Sequence, residues 1–158
     1  MITATRYLLY FGSLLLFFPS CIGPVIYRDI TPQGYAQSAS VPTEDFQVVY
    51  ISGQVPLNPR GELVGLGDLE AQTDQVFQNI GGQLRQHGGT LADLVRIDCY
   101  FTDLTQLDGF RAARDRYVNV EAPPTSTAVQ VARLVDERFL IEISAVAVVR
   151  QTVPRQPR

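Results

Sequence analysis

One carboxylate stands in the middle of an otherwise apolar run of this chain. Glu142 lies in "FLIEISAV", where the flanking residues alternate like a buried β-strand. Burying an unpaired carboxylate costs free energy, so Glu142 must meet water or a polar partner. A strand-edge position in solvent would satisfy it, but the apolar flanks favour a polar cleft between subunits. There it would be a catalytic residue that holds or activates a water molecule.

Two further stretches hold residues that would suit such a cleft. Tyr35 in "GYAQ" lies in an irregular segment before the first predicted strand, where a phenol can close over a pocket. Ser52 and Gly53 follow an apolar run in "YISGQV", and a glycine lets the backbone approach a ligand closely. A Ser-Gly pair after a strand most often marks an ordinary turn, and that interpretation stays open.

The stretch "PPTSTAVQVARL" alternates like a strand with two different rows of side chains. One row includes Thr127 and Val129 and is typical of a core face. The other includes Ser126 and Ala128 and is small and polar. We interpret the strand as central in the sheet, with Ser126 and Ala128 on the same face as Glu142, where they would bind substrate.

The residue types that are missing or rare exclude several chemistries. All 13 basic residues are arginine, so neither a Schiff-base lysine nor a P-loop lysine is present. The single histidine, His87 in "LRQHGG", predicts a helix C-terminus capped by glycine rather than a catalytic imidazole. The two cysteines, Cys21 and Cys99, are far apart and supply no zinc cluster. A net charge of −3 argues against a nucleic-acid partner.

The first residues differ from the rest, and two interpretations of them stay open. Residues 1–27 carry one early arginine and then an apolar run that is short for a membrane span, which is typical of a secretory signal peptide. Cys21 after a serine is a candidate lipid-anchor site. The alternative is a wrongly assigned start, with translation beginning at Val25. The protein would be exported to the periplasm in the first case and cytoplasmic in the second.

Residues 28–150 are predicted to form one α+β domain, with a disordered tail over residues 151–158. The expected order is β-β-α-β-α-β-β, in which "FQVVYISGQV" and a return strand in "PLNPRGELVG" form the first hairpin. Two helices would cover one face of a mixed sheet. The first and last strands are nevertheless apolar on both faces. The second face should therefore be buried against other copies, which predicts a homo-oligomer.

Several spaced motifs together resemble one protein family. The stretches "YISGQVPLNPRGELV", "AQTDQVFQNI", "DLVRIDCYFTDL" and "STAVQVARL…IEISAVAV" are similar to the RidA/YjgF (Rid) family. The resemblance implies a chorismate-mutase-like fold, assembled as a homotrimer with clefts between subunits. It also implies hydrolysis of reactive imines or enamines to 2-keto acids and ammonia, as by 2-iminobutanoate/2-iminopropanoate deaminases. No metal and no organic cofactor are implied.

The match to the family's cleft is partial. Tyr35, Ser52, Gly53 and Glu142 fall on family cleft positions. Ser126 stands where active deaminases carry the arginine that holds the substrate carboxylate, and Ala128 stands where a cysteine is common. Arg96 and Arg114 are the nearby candidates to replace the missing cation, whereas Arg133 lies on the other row of its strand.

Two functional hypotheses follow from this partial match. The chain is either a divergent imine or enamine deaminase, or a non-catalytic trimer whose clefts bind a small metabolite or a protein partner. The retained Glu142 and Tyr35 favour the first hypothesis. The missing arginine at Ser126 favours the second for simple 2-imino acids, because an arginine–carboxylate pair is bidentate and charge-assisted.

Overall fold

The computed structural model describes residues 24–151. These residues form a six-stranded mixed sheet with two α-helices on one face. The strands are β1 (Ile26–Ile30), β2 (Ala36–Pro42), β3 (Phe46–Gln54), β4 (Leu94–Phe101), β5 (Thr125–Gln130) and β6 (Ile141–Arg150). The helices are α1 (Leu69–Gln86) and α2 (Leu107–Arg114), with a 3-10 turn over Leu91–Asp93. The predicted α+β class is confirmed. The predicted leader, Cys21 and tail residues 152–158 lie outside the described residues.

The sheet order is β1-β2-β3-β6-β4-β5. All neighbours are antiparallel except β4 and β5, which are parallel and are connected through α2. A parallel pair needs a crossover connection, and the helical stretch after β4 supplies it. As a result, the apolar β6 lies between β3 and β4, and β5 forms one edge of the sheet.

The core lies between the helices and one face of the sheet. Helix α1 begins after Asp68, whose carboxylate accepts a hydrogen bond from the Ala71 backbone at 3.1 Å, as an N-cap residue does. The apolar stripe of α1 is fully buried, as the helical spacing predicts. Helix α2 packs on the sheet through Phe110, whose ring lies edge-on to that of Phe101 in β4, with the two ring centres 4.9 Å apart. Within residues 24–151 no helix is long and apolar enough to cross a membrane.

His87 ends α1, as the sequence predicts. It is the C-cap residue, and Gly88 follows with a φ of +74°, the left-handed conformation that favours glycine. The imidazole is buried, and its Nε2 lies 3.0 Å from the Ser38 hydroxyl of β2. Burial lowers the pKa of His87, so the ring favours its neutral form. His87 therefore ties the end of α1 to the sheet.

The predicted order of the first strands is wrong in two respects. The expected return strand in "PLNPRGELVG" is a turn closed by a single bridge between Leu57 and Leu63. Two strands, β1 and β2, instead precede β3, and Tyr35 lies in the turn between them rather than before the first strand. Strand β1 starts inside the segment 1–27 that was expected to precede the domain. Strand β2 shows no apolar alternation because serines, Ser38 and Ser40, occupy its buried face, and β1 contains the charged Arg28 and Asp29.

The prediction for β5 is also wrong, in both its position and its faces. The strand is not central, since it lies at the sheet edge and all six of its residues are exposed. Ser126 pairs in register with Ile97, and Ala128 pairs with Cys99. Ile97 and Cys99 point into the helix-covered core, so Ser126 and Ala128 lie on the helix side. A shift of one residue exchanges the two faces of a strand.

The face of the sheet opposite the helices is uncovered in the single chain. We call it the open face. One row across it comprises Tyr27, Ala39, Tyr50, Val146, Arg96 and Thr125. Tyr50 is 52% exposed and Val148 is 38% exposed. The expectation that the helices leave this apolar face uncovered is therefore confirmed.

Candidate functional site

Glu142 lies on β6, the strand between β3 and β4, and points to the open face beside Tyr100. The facing part of β3 is irregular, because the pairing steps from Ile51 directly to Gln54. This bulge places Gly53 against the Glu142 side chain. A Cβ built on Gly53 would overlap the Glu142 carboxylate. Any larger residue at position 53 would therefore have to displace the Glu142 carboxylate, so Gly53 is more than an ordinary turn residue.

The surroundings of Glu142 favour the protonated form of its carboxyl group. The side chain is half-buried, and burial raises the pKa of its carboxyl group above the ordinary value. None of the ion pairs found within residues 24–151 includes Glu142. A carboxylate without a cation beside it is able to exchange a proton with a bound water or substrate.

Two more predicted residues lie at the same end of the sheet. The Ser52 hydroxyl donates a 2.8 Å hydrogen bond to the backbone carbonyl of Ala36, so it ties the β3 bulge to β2. Tyr35 directly precedes Ala36 and is 49% exposed. We call Tyr35, Ser52, Gly53 and Glu142 the Glu142 cluster. There β3 contacts β2 through Ser52 and β6 through Gly53.

Ser126 belongs to a different site, which we call the Ser126 pocket. It is a cavity of about 280 Å³ beside α2. Its lining residues are Ile97, Arg114, Asp115, Val118, Val120, Pro123, Pro124 and Ser126. Ala128 lies further along β5 and is not part of this lining. The sequence pointed to Ser126 and Arg114, but it carried no signal for the apolar wall.

The arginine in the lining of the Ser126 pocket is Arg114, and its guanidinium contacts two neighbouring side chains. Arg114 donates from Nε and Nη2 to the Asp115 carboxylate at 2.8 and 2.6 Å. Its guanidinium carbon lies 5.8 Å from the centre of the Phe110 ring. Arg96 is elsewhere, since it lies on the open face and pairs with Asp98 at 2.9 Å. Of the two arginines proposed to replace the missing cation, only Arg114 shares a pocket with Ser126.

The thiol of Cys99, on β4 opposite Ala128, lies outside the pocket lining and is unsuited to nucleophilic chemistry. Cys99 is buried, and this burial raises the pKa of its thiol to about 12, although a hydrogen bond with Ser126 acts in the opposite direction. The thiol is therefore protonated at neutral pH. Within residues 24–151 no group of three or more potential metal ligands is present.

The Glu142 cluster and the Ser126 pocket do not meet within one chain. Glu142 lies on the open face, whereas Ser126 lies on the helix side of the edge strand. The expectation that both residues share one face is wrong. Each group is also accessible from outside, because β5 is exposed and the open face is uncovered. A single chain thus presents two separate groups of candidate residues.

The fold and these motifs match a known family. A family model described as endoribonuclease L-PSP matches residues 32–149, most of the chain. The chain belongs to this family. It is the RidA/YjgF (Rid) family, as a similar solved structure of RidA from an Antarctic Psychrobacter species indicates. That structure has a TM-score of 0.64 and 30% sequence identity, and the match covers 78% of this chain and 93% of that one.

Curated relatives support the same Rid assignment. A RutC family protein of Pyrococcus abyssi is 35% identical over 100 residues, which are 63% of this chain and 76% of the relative. Protein DfrA of Myxococcus xanthus is 31% identical over 124 residues, which are 78% of this chain and 93% of that protein. The matches thus span about three quarters of the first relative and nearly all of the second.

Proposed function

We propose that this Rid protein hydrolyses the C=N bond of a small imine or enamine in clefts between subunits, with Glu142 as the acid–base group. The observation that supports this most directly is the half-buried Glu142 carboxylate against Gly53, with no cation paired to it within residues 24–151. A raised pKa suits a group that must both accept and return a proton.

The proposed reaction consumes one water and releases ammonia. Glu142 accepts a proton from water as its oxygen attacks the imine carbon. Glu142 returns this proton to the nitrogen, which gives a carbinolamine. Glu142 would then move the hydroxyl proton to the amino group, the C–N bond breaks as the C=O bond forms, and a carbonyl compound and ammonia leave. The bulged backbone at Ser52 and Gly53 would position the water, and Tyr35 would close over the imine. Because Glu142 must be ionised to act as a base, we expect the rate to rise as the pH passes its raised pKa.

The two halves of the site would be joined by assembly. The Glu142 cluster and the Ser126 pocket face away from each other in one chain, yet both are open at the surface. A homotrimer, as in the family resemblance, would place the Ser126 pocket of one copy beside the Glu142 cluster of the next. The exposed apolar residues of the open face support burial against another copy.

A non-catalytic trimer that binds a metabolite or protein partner is the second candidate function. The observation that favours it is Ser126, a neutral residue where active Rid deaminases carry an arginine. A serine offers one hydroxyl in place of a bidentate cation. In this case the protein would retain the shape of the cleft and bind a ligand there without converting it.

Nuclease activity, which the family description names, is not part of the proposal. The only histidine of the chain is His87, which is buried at the end of α1 beside Ser38 and lies away from both halves of the site. A net charge of −3 and the lack of lysine also disfavour binding to a polyanion.

An imine-decay assay separates the two candidate functions. An amino-acid oxidase acting on alanine generates 2-iminopropionate, and its disappearance is followed by trapping with semicarbazide. We expect the wild type to accelerate decay and Glu142→Gln to lower that rate by about a hundredfold or more, the usual contribution of a general acid–base group. Glu137→Gln, which removes an exposed carboxylate from the same chain, is the matched control and should leave the rate unchanged.

The wild-type result decides between the hypotheses, and one variant identifies the cause. Decay at the background rate with wild type would eliminate simple 2-imino acid hydrolysis and favour the binding function. Ser126→Arg should then restore turnover if only the carboxylate contact is missing. If Ser126→Arg is inactive as well, the loss extends beyond that contact.

A further inference from the structure

We propose that His87 is a pH-sensitive switch that holds the hairpin of β1 and β2 against the end of α1. At neutral pH the uncharged imidazole belongs to a chain of hydrogen bonds through Ser38, Gln83 and Asp29, which we call the His87 network. In mild acid the imidazole gains a proton, and the network no longer holds β1 to α1. Only the effect of this switch on imine turnover rests on the proposed function.

The direction of each hydrogen bond in the His87 network follows from Asp29. A carboxylate only accepts hydrogen bonds, so Gln83 turns its amide Nε2 toward Asp29 Oδ2, at 3.0 Å. This orientation leaves Gln83 Oε1 to accept from the Ser38 hydroxyl at 2.8 Å. The single hydroxyl proton of Ser38 is then used, so its 3.0 Å contact with His87 Nε2 requires a proton on that nitrogen. The neutral ring therefore carries its lone pair on Nδ1.

A second proton, on Nδ1, would give His87 a charge that its surroundings do not stabilise. The residue is only 7% exposed, and within residues 24–151 its Nδ1 has no hydrogen-bond partner. The imidazolium would be a buried cation with an unpaired N–H donor, and both properties cost free energy. Separation of β1 from α1 would let water solvate this charge. Acid thus favours the released form.

Two charged side chains act on the ring, and both belong to β1. Burial lowers the pKa of His87 most, the Arg28 guanidinium lowers it further, and the Asp29 carboxylate raises it. Strands β2 and β3 direct only neutral polar side chains at this residue. The charged groups nearby are engaged elsewhere, because Arg85 lies back along α1 and Asp93 accepts hydrogen bonds from the residue that caps its own turn.

The pH at which the switch operates follows from these directions. Histidine in water has a pKa of about 6.5, and we expect this value in the released form. The pKa of His87 in the intact network is lower. The released form therefore binds a proton first as the pH falls, and the network weakens progressively below about pH 6.5. Below the lowered pKa both forms are protonated, and His87 causes no further loss.

Strand β1 is the element best placed to respond. It is the edge strand next to β2, and four of its five residues are exposed. Asp29 has a φ of +49°, which is uncommon for a residue with a side chain, and the amides of Gln83 and Gln86 bind its carboxylate. Strand β2 pairs with β3 over five residues, so it stays in the sheet when β1 separates.

The hairpin connects the His87 network to the Glu142 cluster. Tyr35 lies in the turn between β1 and β2, and the Thr31 hydroxyl, just after β1, donates to the Tyr35 carbonyl at 3.0 Å. The next residue, Ala36, accepts the hydrogen bond from Ser52. Release of β1 should therefore free this turn and move Tyr35 away from the cluster.

The test follows the full-length wild type from about pH 7.5 to about pH 5, the range in which histidine titrates. His87 is the only histidine of the chain, so one imidazole signal in the NMR spectrum reports its pKa. Backbone amide hydrogen exchange, corrected for its intrinsic pH dependence, reports the protection of β1. We expect this protection to fall as His87 titrates, by about tenfold for each pH unit between the two pKa values. Protection of β4 should not change.

Two variants and a control identify the group responsible. His87→Gln keeps a neutral N–H donor for Ser38 and removes the titration, so β1 protection should become independent of pH in this range. Arg28→Gln removes a cation that disfavours the imidazolium. It should raise the pKa of His87 and move the loss of protection to higher pH by the same shift. Arg60→Gln removes an exposed arginine paired with Glu62 in a distant turn, and it should change neither quantity.

Constant β1 protection in the wild type, or the same acid-induced loss in His87→Gln, would overturn the inference. If His87→Gln does not fold, Arg28→Gln decides, because a pKa shift without a matching shift in protection contradicts the switch equally. Where an imine is hydrolysed, His87→Gln should retain more of its rate in acid than the wild type does. Loss of β1 protection without imine turnover at any pH would contradict the proposed hydrolase and leave the His87 switch standing.

Discussion

The contact between Gly53 and Glu142 is the most constrained feature of the candidate site at the scale of residues. The Glu142 carboxylate occupies the space where a Cβ of residue 53 would be, so a larger residue there must displace that side chain. The sequence marked both residues, yet for different reasons: Glu142 for its apolar flanks, and Gly53 for backbone access. Their mutual contact depends on the bulge in β3, which no local pattern in "YISGQV" reveals.

Gly53→Ala should therefore impair the site through steric overlap. We expect the Glu142 side chain to be displaced, with loss of imine turnover and little change in the free energy of unfolding, because the overlapping atoms are the end of a flexible side chain. Gly109→Ala is the matched control, since a Cβ at Gly109 meets open space in α2. That change should keep activity and stabilise the helix. Full turnover in Gly53→Ala would show that the close contact is dispensable.

Secondary-structure elements hold the site through a few buried polar contacts. Gln72 of α1 is fully buried. Its side-chain oxygen accepts from the Leu140 backbone at 2.7 Å, and its amide donates to the Gly65 and Arg138 carbonyls at 2.9 and 3.0 Å. Leu140 lies just before β6, so Gln72 helps to position the strand that carries Glu142.

Gln72→Leu should destabilise the protein even though it retains most of the side-chain volume. The change leaves the Leu140 N–H without its partner in the interior, which costs about 1–3 kcal/mol. Gln78→Leu, at an exposed position of the same helix, should change stability by less than about 0.5 kcal/mol. Urea unfolding at one fixed protein concentration measures both variants. Equal stabilities for the two would contradict the role of Gln72.

The elements that the sequence predicted well are those with one strongly apolar face. The apolar stripe of α1 and the alternating apolar residues of β4 and β6 are the residues buried in the core, so these three elements were correctly predicted. Strands β1 and β2 were missed because serines and charged residues fill them. Strand β5 was placed on the wrong face because both of its rows lie at an exposed edge, where alternation carries no burial signal.

Assembly is the main question at the scale of the whole molecule. The helices cover one face of the sheet and leave Tyr50 and Val148 exposed on the other. The Glu142 cluster and the Ser126 pocket lie on opposite sides of the sheet in a single chain. Both observations would be explained by one arrangement, in which neighbouring copies bury the open face and bring the two halves together.

A charge placed on the open face should separate the copies. We expect wild type to sediment as a trimer at micromolar concentration and Tyr50→Glu to sediment as a monomer, because an unpaired carboxylate is costly in an apolar interface. Val135→Glu changes a residue that is 87% exposed in the loop before β6, so it should leave the assembly intact. A monomeric wild type at that concentration would overturn the proposed trimer.

The sequence by itself determined the Rid family, the α+β class, the two helices and the placement of Glu142 on a buried strand. These properties follow from motifs and from hydrophobic periodicity, which are local in the chain. Only the tertiary structure decided which face Ser126 occupies, that Arg114 shares its pocket, and that Gly53 contacts Glu142. Those relations depend on strand pairing, and pairing is set by distant segments that meet only in the folded sheet.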